Sequence, residues 1–296
     1  MPSRELATLV QMLRQANPIA GGDVMTMRAG MDAATAGFTP PADVRFEPVL
    51  AGGVPAEWTT APGAREDRAL VYLHGGAYCL GGIATHRGLA ARLSRHARLR
   101  VLNVDYRLAP EHPHPAAVLD AAAAVRFVHA SGLAPSRVAV GGDSAGGGLA
   151  VATLVALRDA GEALPAAGVC ISPWTDLSGS GESMRTRAAL DPLVDAETLA
   201  LMAAEYLAGR DPRTPLASPL FADLRGLPPL LVHVGTAEIL LDDATRLAER
   251  ARDIGVDVEL EVWDDMIHVW HAFADMLPEG VQAVQGIAEF LEKRLG

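Results

Sequence analysis

The chain has 296 residues, half of them hydrophobic, and carries 36 acidic against 25 basic side chains for a net charge of −11. Lys293 is its only lysine, so the other basic side chains are arginines. This composition excludes a disordered chain, and the lack of a basic cluster argues against a nucleic-acid or anionic-membrane partner. No apolar run approaches the ~20 residues of a membrane helix, and the first residues lack a signal-peptide core. We therefore expect a cytoplasmic protein of one or two domains.

The predicted elements begin with helices in the first 40 residues. Leu6, Leu9, Val10 and Leu13 form one apolar stripe, and a second candidate helix runs from about residue 23 to 37 before Pro40-Pro41. Strands and helices then alternate. The candidate strands are 45–50, 57–61, 69–74, 100–106, 137–141, 168–172, 230–235 and 257–263, and the helices are 86–96, 116–129, 145–160, 243–254 and 281–295.

Most strands from the third onward are apolar on both faces, which is typical of a parallel sheet covered on both sides. The first two are more mixed, as edge strands should be. This alternation predicts right-handed βαβ units and a doubly wound α/β sheet.

Nearly 60 residues between the strands 168–172 and 230–235 interrupt the alternation, which is too long for a plain connection. They include a helical segment at 196–207. We expect one domain over residues 1–296, in which residues 1–40 and about 180–210 form a helical cap. Six apolar residues in and before this segment are candidates for lining a pocket under the cap and its entrance: Trp174, Met184, Leu190, Leu193, Leu199 and Met202.

The motif Gly142-Asp143-Ser144-Ala145-Gly146 joins an apolar strand to an apolar helix. A serine at this strained bend exposes its hydroxyl above the sheet, and glycines on either side leave room for the neighbouring backbone. The alternative is a glycine-rich turn in which Ser144 only caps the helix. The strand–turn–helix context favours Ser144 as a nucleophile.

His74-Gly75-Gly76 ends the strand 69–74 and predicts an oxyanion hole. Two successive glycines let backbone N–H groups face a cavity, where they can stabilise the oxyanion of an acyl-transfer reaction. We expect the N–H groups of Gly75 and Gly76 to act with that of Ala145, next to the nucleophile. His74 is expected to orient this loop.

Nine histidines compete for the role of general base. His268 follows the last strand by five residues, in a loop at the carboxyl end of the sheet, where a base must lie. His271 is its nearest rival, and His233, inside a strand, is expected in the core.

The acid should follow the strand 230–235. Glu238 lies three residues beyond that strand and is preferred, with Asp242 as its rival and Asp243 as a helix cap. The order Ser144, Glu238, His268 is the nucleophile–acid–base order of α/β-hydrolases.

These motifs, together with Asp105-Tyr106-Arg107-Leu108-Ala109-Pro110-Glu111, resemble the bacterial esterase branch of the hormone-sensitive lipase family over nearly the whole chain. The resemblance implies an α/β-hydrolase fold, with a mostly parallel eight-stranded sheet flanked by helices, and carboxylic-ester hydrolysis without a cofactor or metal. Two positions depart from the family pattern. Ala77 replaces a third glycine, and Glu238 stands where an aspartate is usual. Arg107 and Glu111 are expected to form a structural ion pair.

The leading hypothesis is a serine carboxylesterase that acts on small-molecule esters with short-to-medium acyl chains through an acyl-enzyme. The open alternatives are an amidase or peptidase and a lactonase or epoxide hydrolase with the same triad, or a non-catalytic receptor of the same fold. The two cysteines, Cys79 and Cys170, lie in apolar segments and are expected to be buried and unreactive. The last strand, 257–263, offers an edge through which two copies could pair as a homodimer.

Overall fold

A computed structural model describes residues 3–17, 22–35 and 41–296. Its eight strands are β1 Arg45–Ala51, β2 Val54–Thr60, β3 Arg65–Leu73, β4 Leu99–Val104, β5 Val138–Asp143, β6 Ala167–Ile171, β7 Leu230–Gly235 and β8 Val258–Trp263. They form one sheet in the order β1-β2-β4-β3-β5-β6-β7-β8. β2 runs antiparallel to β1 and β4, and all other neighbours are parallel. The prediction of a mostly parallel eight-stranded sheet is confirmed.

The described helices are α1 Arg4–Gln15, α2 Val24–Thr35, α3 Ile83–Ala97, α4 Ala116–Ala130, α5 Ala145–Asp159, α6 Ser183–Thr186, α7 Ala196–Leu207, α8 Leu241–Asp253 and α9 Pro278–Leu295. Residues 36–37, where the second predicted helix ends, and Pro40 lie outside the described residues, as do residues 1–2 and 18–21 of the predicted cap. Among the helices that the structure describes, none is both long and apolar enough to cross a bilayer.

The central strands are apolar on both faces because helices cover both sides of the sheet. In β3, Leu70 and Tyr72 pack with apolar residues of α3 and α9, whereas Val71 and Leu73 face the opposite side and pack with α4 and α5. Successive side chains of a strand point to opposite faces, so the uninterrupted apolar run supplies two cores at once.

The parallel strands β5 to β8 place all their carboxyl ends at one edge of the sheet. Ser144 follows β5, and the loops carrying Glu238 and His268 follow β7 and β8. The end of α9 lies at the opposite edge, where Arg294 bonds Asp257 at 2.7 Å and Lys293 lies 3.3 Å from Glu259. The candidate catalytic residues therefore lie at the carboxyl ends of the parallel strands, and the end of the chain lies at their amino ends.

The N-terminal helices contact both the sheet domain and the segment before α7. Leu6 and Leu9 of α1 pack against Ile267 and Trp270. Beyond them, the Arg14 guanidinium donates to the Ala189 carbonyl at 3.0 Å. These contacts bring together the two segments that were predicted to form the cap.

Three further expectations concern the cysteines and the sheet edge. Cys79 and Cys170 are buried as expected, and burial raises the pKa of each thiol to about 12, which disfavours the reactive thiolate. β8 is an edge strand whose Val262 is 44% exposed. Its pairing with a second copy stays a prediction.

Candidate active site

Ser144 lies at a sharp bend between β5 and α5, with φ 53° and ψ −122°. A side chain on Gly146 would overlap the carbonyl oxygen of Leu73, and one on Gly142 would overlap both that oxygen and Gly146. The bend therefore requires glycine at both positions. The N–H of Ser144 donates to the Ile171 carbonyl at 2.8 Å, which ties the bend to the neighbouring strand β6. The result is a strained turn with Ser144 at the N-terminus of a helix, where negative charge is favoured.

Glu238 and His268 form a buried pair. The imidazole Nδ1 of His268 lies 2.8 Å from Glu238 Oε2, and Glu238 is fully buried. The other carboxylate oxygen, Oε1, accepts the Gly235 N–H at 2.7 Å and the Ser172 hydroxyl at 2.8 Å. Both oxygens of the buried carboxylate are thus satisfied, and His268 is held with Nδ1 as the donor.

Burial and pairing act in opposite directions on the pKa values of this pair. Burial alone lowers the pKa of His268, but the hydrogen bond and charge of Glu238, together with the charges of Asp191 and Asp143, outweigh it, so the net pKa lies above the ordinary 6.5. Burial raises the pKa of Glu238, against the hydrogen bonds from His268 and Gly235. Such a pair stabilises the imidazolium that a general base becomes when it accepts a proton.

Ser144 and His268 line the same cavity. Among the hydrogen bonds of the described residues, none joins the Ser144 hydroxyl to His268. In unliganded enzymes this contact is often long and shortens only when a substrate binds.

The rival residues have other partners. Asp242 accepts the Ser183 N–H at 2.9 Å, which ties the start of α8 to α6. Asp243 is buried under the segment after β6, and burial raises its pKa to about 7. The ring of His271 is buried against His233, with 3.0 Å between Nε2 and Nδ1, and burial lowers the pKa of both histidines. Neither Asp242 nor His271 lines the cavity.

The loop after β3 differs from the expectation at one residue. The N–H of Gly75 donates to Asp143 Oδ1 at 3.1 Å, and a side chain on Gly75 would overlap Asp143 Oδ2. The N–H of Gly75 therefore anchors the loop to Asp143, which argues against its expected role as an oxyanion donor, although Gly75 also lines the cavity. The next residues, Gly76 and Ala77, have positive φ angles of 117° and 51° and line the cavity.

Asp143, the second residue of the motif around Ser144, organises this loop. Besides Gly75, its Oδ1 accepts the Tyr72 hydroxyl at 2.6 Å and lies 3.5 Å from His86 Nε2. Its pKa is lowered, although burial opposes this, because the imidazole of His86 and the hydroxyl of Tyr72 stabilise its negative charge. The sequence placed Asp143 inside the motif but gave no sign that it bonds a glycine 68 residues away.

The cavity beside Ser144 has a volume of about 600 Å³ and is mostly apolar. Leu193, Leu199 and Met202 line it, as expected. Trp174, Met184 and Leu190 do not: the first two are buried in the core, and Leu190 is 45% exposed elsewhere. Further parts of the walls come from residues that sequence reasoning did not assign to the pocket, and these residues include Leu13, Ala16, Met31, Ala34, Thr35, Leu80, Thr85, His86, Gly88, Leu89, Arg92, Val194, Thr198, Ala272, Phe273, Asp275 and Met276.

The expected ion pair between Arg107 and Glu111 is wrong. Arg107 bonds the buried carboxylate of Asp120, with 2.7 Å at the shortest contact. Glu111 instead accepts two hydrogen bonds from Arg28 on α2, at 2.7 and 2.8 Å, and these lower its pKa to about 2. Arg28 also donates to the carbonyls of Cys79 and Ala109. It therefore joins α2 to the loop that follows Gly76, a long-range contact without a local signal in the sequence.

Comparison with known proteins agrees with this architecture. A family model for the alpha/beta hydrolase fold matches residues 70–272. An acetyl-hydrolase of Streptomyces hygroscopicus is 47% identical over 300 residues, which cover 100% of this chain and 99% of the relative. An esterase of Acinetobacter venetianus is 37% identical over 248 residues, which cover 83% of this chain and 82% of that esterase.

Solved structures give the same result. The crystal structure of an esterase from the bacterial hormone-sensitive lipase family matches with a TM-score of 0.97 and 52% identity, and the match covers 100% of both chains. A hormone-sensitive lipase from a metagenome library matches with a TM-score of 0.94 at 36% identity over 98% of both chains. The chain therefore belongs to the hormone-sensitive lipase family of α/β-hydrolases and is a carboxylic ester hydrolase.

Proposed function

We propose that the protein hydrolyses small-molecule esters with short-to-medium acyl chains through a Ser144–His268–Glu238 triad and an acyl-enzyme. The observation that carries the proposal is the buried 2.8 Å contact between His268 Nδ1 and Glu238 Oε2, in a structure where Ser144 and His268 line the same cavity. With Nδ1 directed at the carboxylate, Nε2 is the nitrogen left to accept a proton.

In the proposed first step, His268 Nε2 takes the proton of the Ser144 hydroxyl while Oγ attacks the ester carbonyl carbon. The carbonyl oxygen becomes an oxyanion. His268 then gives its proton to the leaving alcohol, and the acyl group stays on Ser144. A water molecule, deprotonated by His268, attacks the acyl carbon. The bond between that carbon and Ser144 Oγ breaks, His268 returns its proton to Oγ, and the carboxylic acid leaves.

The oxyanion donors in this proposal are the N–H groups of Gly76, Ala77 and Ala145. Within the described residues, no other group accepts a hydrogen bond from these three N–H groups, whereas Gly75 is bonded to Asp143. An alanine at position 77 is compatible with this role because the donor is the backbone. Its φ of 51° lies in the left-handed region, which costs an alanine about 1 kcal/mol.

The preference for short-to-medium acyl chains rests on the size and chemistry of the cavity. A volume of about 600 Å³ has to hold the acyl and the alcohol parts of the ester together. We further propose that the N-terminal helices and residues of about 180–210 act as the cap over this cavity, because Leu13, Met31, Leu199 and Met202 line it.

The test is Ser144→Ala assayed with p-nitrophenyl esters of increasing acyl length and with matched anilides. We expect ester turnover to fall by a factor on the order of 10⁶ in the variant. We also expect a sulfonyl fluoride to add one sulfonyl group to the wild type, on the peptide containing Ser144. Near-normal turnover by Ser144→Ala would refute the nucleophile, and a rate maximum at long chains would refute the substrate class.

A further inference from the structure

Ser172, the residue after β6, lies between the loop that carries Glu238 and the loop that carries His268. Its hydroxyl donates to Glu238 Oε1 at 2.8 Å and accepts the Val269 N–H at 3.1 Å. Its own N–H donates to the His233 carbonyl on β7 at 2.7 Å. The side chain is fully buried, so water cannot replace either hydroxyl contact without a rearrangement. One hydroxyl group therefore bonds to both loops.

The two contacts fix different parts of the pair. The terminal torsion of a glutamate side chain is soft, so the plane of its carboxylate is set by its hydrogen-bond partners. Ser172 and the Gly235 N–H both donate to Oε1, which leaves Oε2 facing His268. The contact with the Val269 N–H holds the peptide group that follows His268, at a residue with a left-handed φ of 50°.

We propose that Ser172 is a positioning residue for the acid–base pair: its hydroxyl orients the Glu238 carboxylate and the His268 loop with respect to one another. The inference rests on the proposed function of that pair. Positioning matters because a displacement of about 1 Å near the reacting groups can cost on the order of 100-fold in rate.

The hydroxyl also has an electrostatic effect that a purely structural role would not have. As a donor, it disperses the negative charge of the carboxylate. Without it, more of that charge acts on the imidazolium of His268, so the protonated form of His268 persists to higher pH. The acidic limb of the pH profile of kcat/KM should then move to higher pH.

The experiment compares Ser172→Ala with Ser94→Ala as a matched control. Ser94 is equally buried, accepts the Ala61 N–H at 2.9 Å and donates to the Leu99 carbonyl at 2.7 Å, next to the amino end of β4. Each substitution removes one accepted and one donated hydrogen bond from a buried site. Ser172→Cys is added because a thiol preserves the volume but is a weak donor, so it should fold even where alanine leaves a cavity.

For Ser172→Ala and Ser172→Cys we expect kcat/KM for a p-nitrophenyl ester to fall by about 10-fold or more, with the acidic limb shifted upward. Ser94→Ala should lose a similar amount of thermal stability and keep the wild-type profile. An unshifted limb and near-normal kcat/KM in both Ser172 variants would overturn the proposal. Ser144→Ala in the same assay separates the two hypotheses: if it is inactive while the Ser172 variants are normal, only the positioning role fails.

Discussion

Replacing Glu238 by glutamine should disable the enzyme by trapping His268 in the wrong tautomer. The Gly235 N–H, which can only donate, lies 2.7 Å from Oε1. In Glu238→Gln the amide oxygen must therefore occupy the Oε1 position. The amide NH₂ then faces His268 Nδ1 across the former 2.8 Å contact, which makes Nδ1 an acceptor and places the ring proton on Nε2. An Nε2 that carries a proton cannot accept one from Ser144.

The size of the effect follows from this tautomer argument. The corresponding carboxylate-to-amide change in the triad of a serine protease lowers kcat by about 10⁴-fold while the geometry is preserved. Since Glu238 is fully buried and both of its oxygens are bonded, glutamine has no alternative position that avoids the conflict. We expect a fall in kcat of about 10³- to 10⁴-fold.

The assay is steady-state hydrolysis of a short-chain p-nitrophenyl ester, with thermal melting as a check that the variant folds. Asp242→Asn is the matched control, because Asp242 contacts Ser183 and is the rival acid in the sequence. It should keep turnover within about fivefold of the wild type. The tautomer argument would be refuted by a folded Glu238→Gln with turnover within 10-fold of the wild type, or by an equal loss in Asp242→Asn.

Three further outcomes follow from the contacts described. The pKa of His268 lies above 6.5, so kcat/KM should rise with pH with a midpoint above 6.5, and a midpoint below it would contradict the pairing with Glu238. Arg28→Ala removes the hydrogen bonds to the Cys79 and Ala109 carbonyls, so it should lower the free energy of unfolding, measured by denaturant titration, by about 1–3 kcal/mol. Glu111→Gln keeps those two hydrogen bonds and should lower the free energy of unfolding by less than about 1 kcal/mol. Gly88 lines the cavity from the middle of α3, so Gly88→Leu should lower kcat/KM for bulky esters about 10-fold relative to an acetate ester. An equal effect on all esters would show that Gly88 does not contact the substrate.

The parts of the site that sequence reasoning anticipated follow from strand order. Ser144, Glu238 and His268 each follow a recognisable strand, and parallel strands must bring their carboxyl ends to one edge. Asp242 and His271 follow the same two strands but lie further along the chain, toward the next helix, and their partners, Ser183 and His233, are consistent with structural roles. Local pattern and sheet geometry were enough for these residues.

The rest of the site depends on contacts between distant segments. Gly75 appeared suited to bind an oxyanion because of its neighbours, but its N–H is taken by Asp143, 68 residues away. The pairing of Glu111 with Arg28, rather than with the nearby Arg107, requires knowing where α2 packs. Trp174 is apolar and close to a strand end, yet the fold turns it into the core beside Tyr78. Periodicity does not encode which side of a loop faces a cavity.

The position of Lys293 has a practical consequence for handling the enzyme. This is the only lysine side chain in the sequence, and it is 67% exposed. It lies on α9, at the amino ends of the parallel strands, whereas Ser144 lies at their carboxyl ends. Amine-reactive surfaces and dyes can therefore attach to only one lysine side chain, besides the α-amino group. Immobilisation through Lys293 would orient the molecules uniformly, with the ester cavity facing the solution and β8 beside the support.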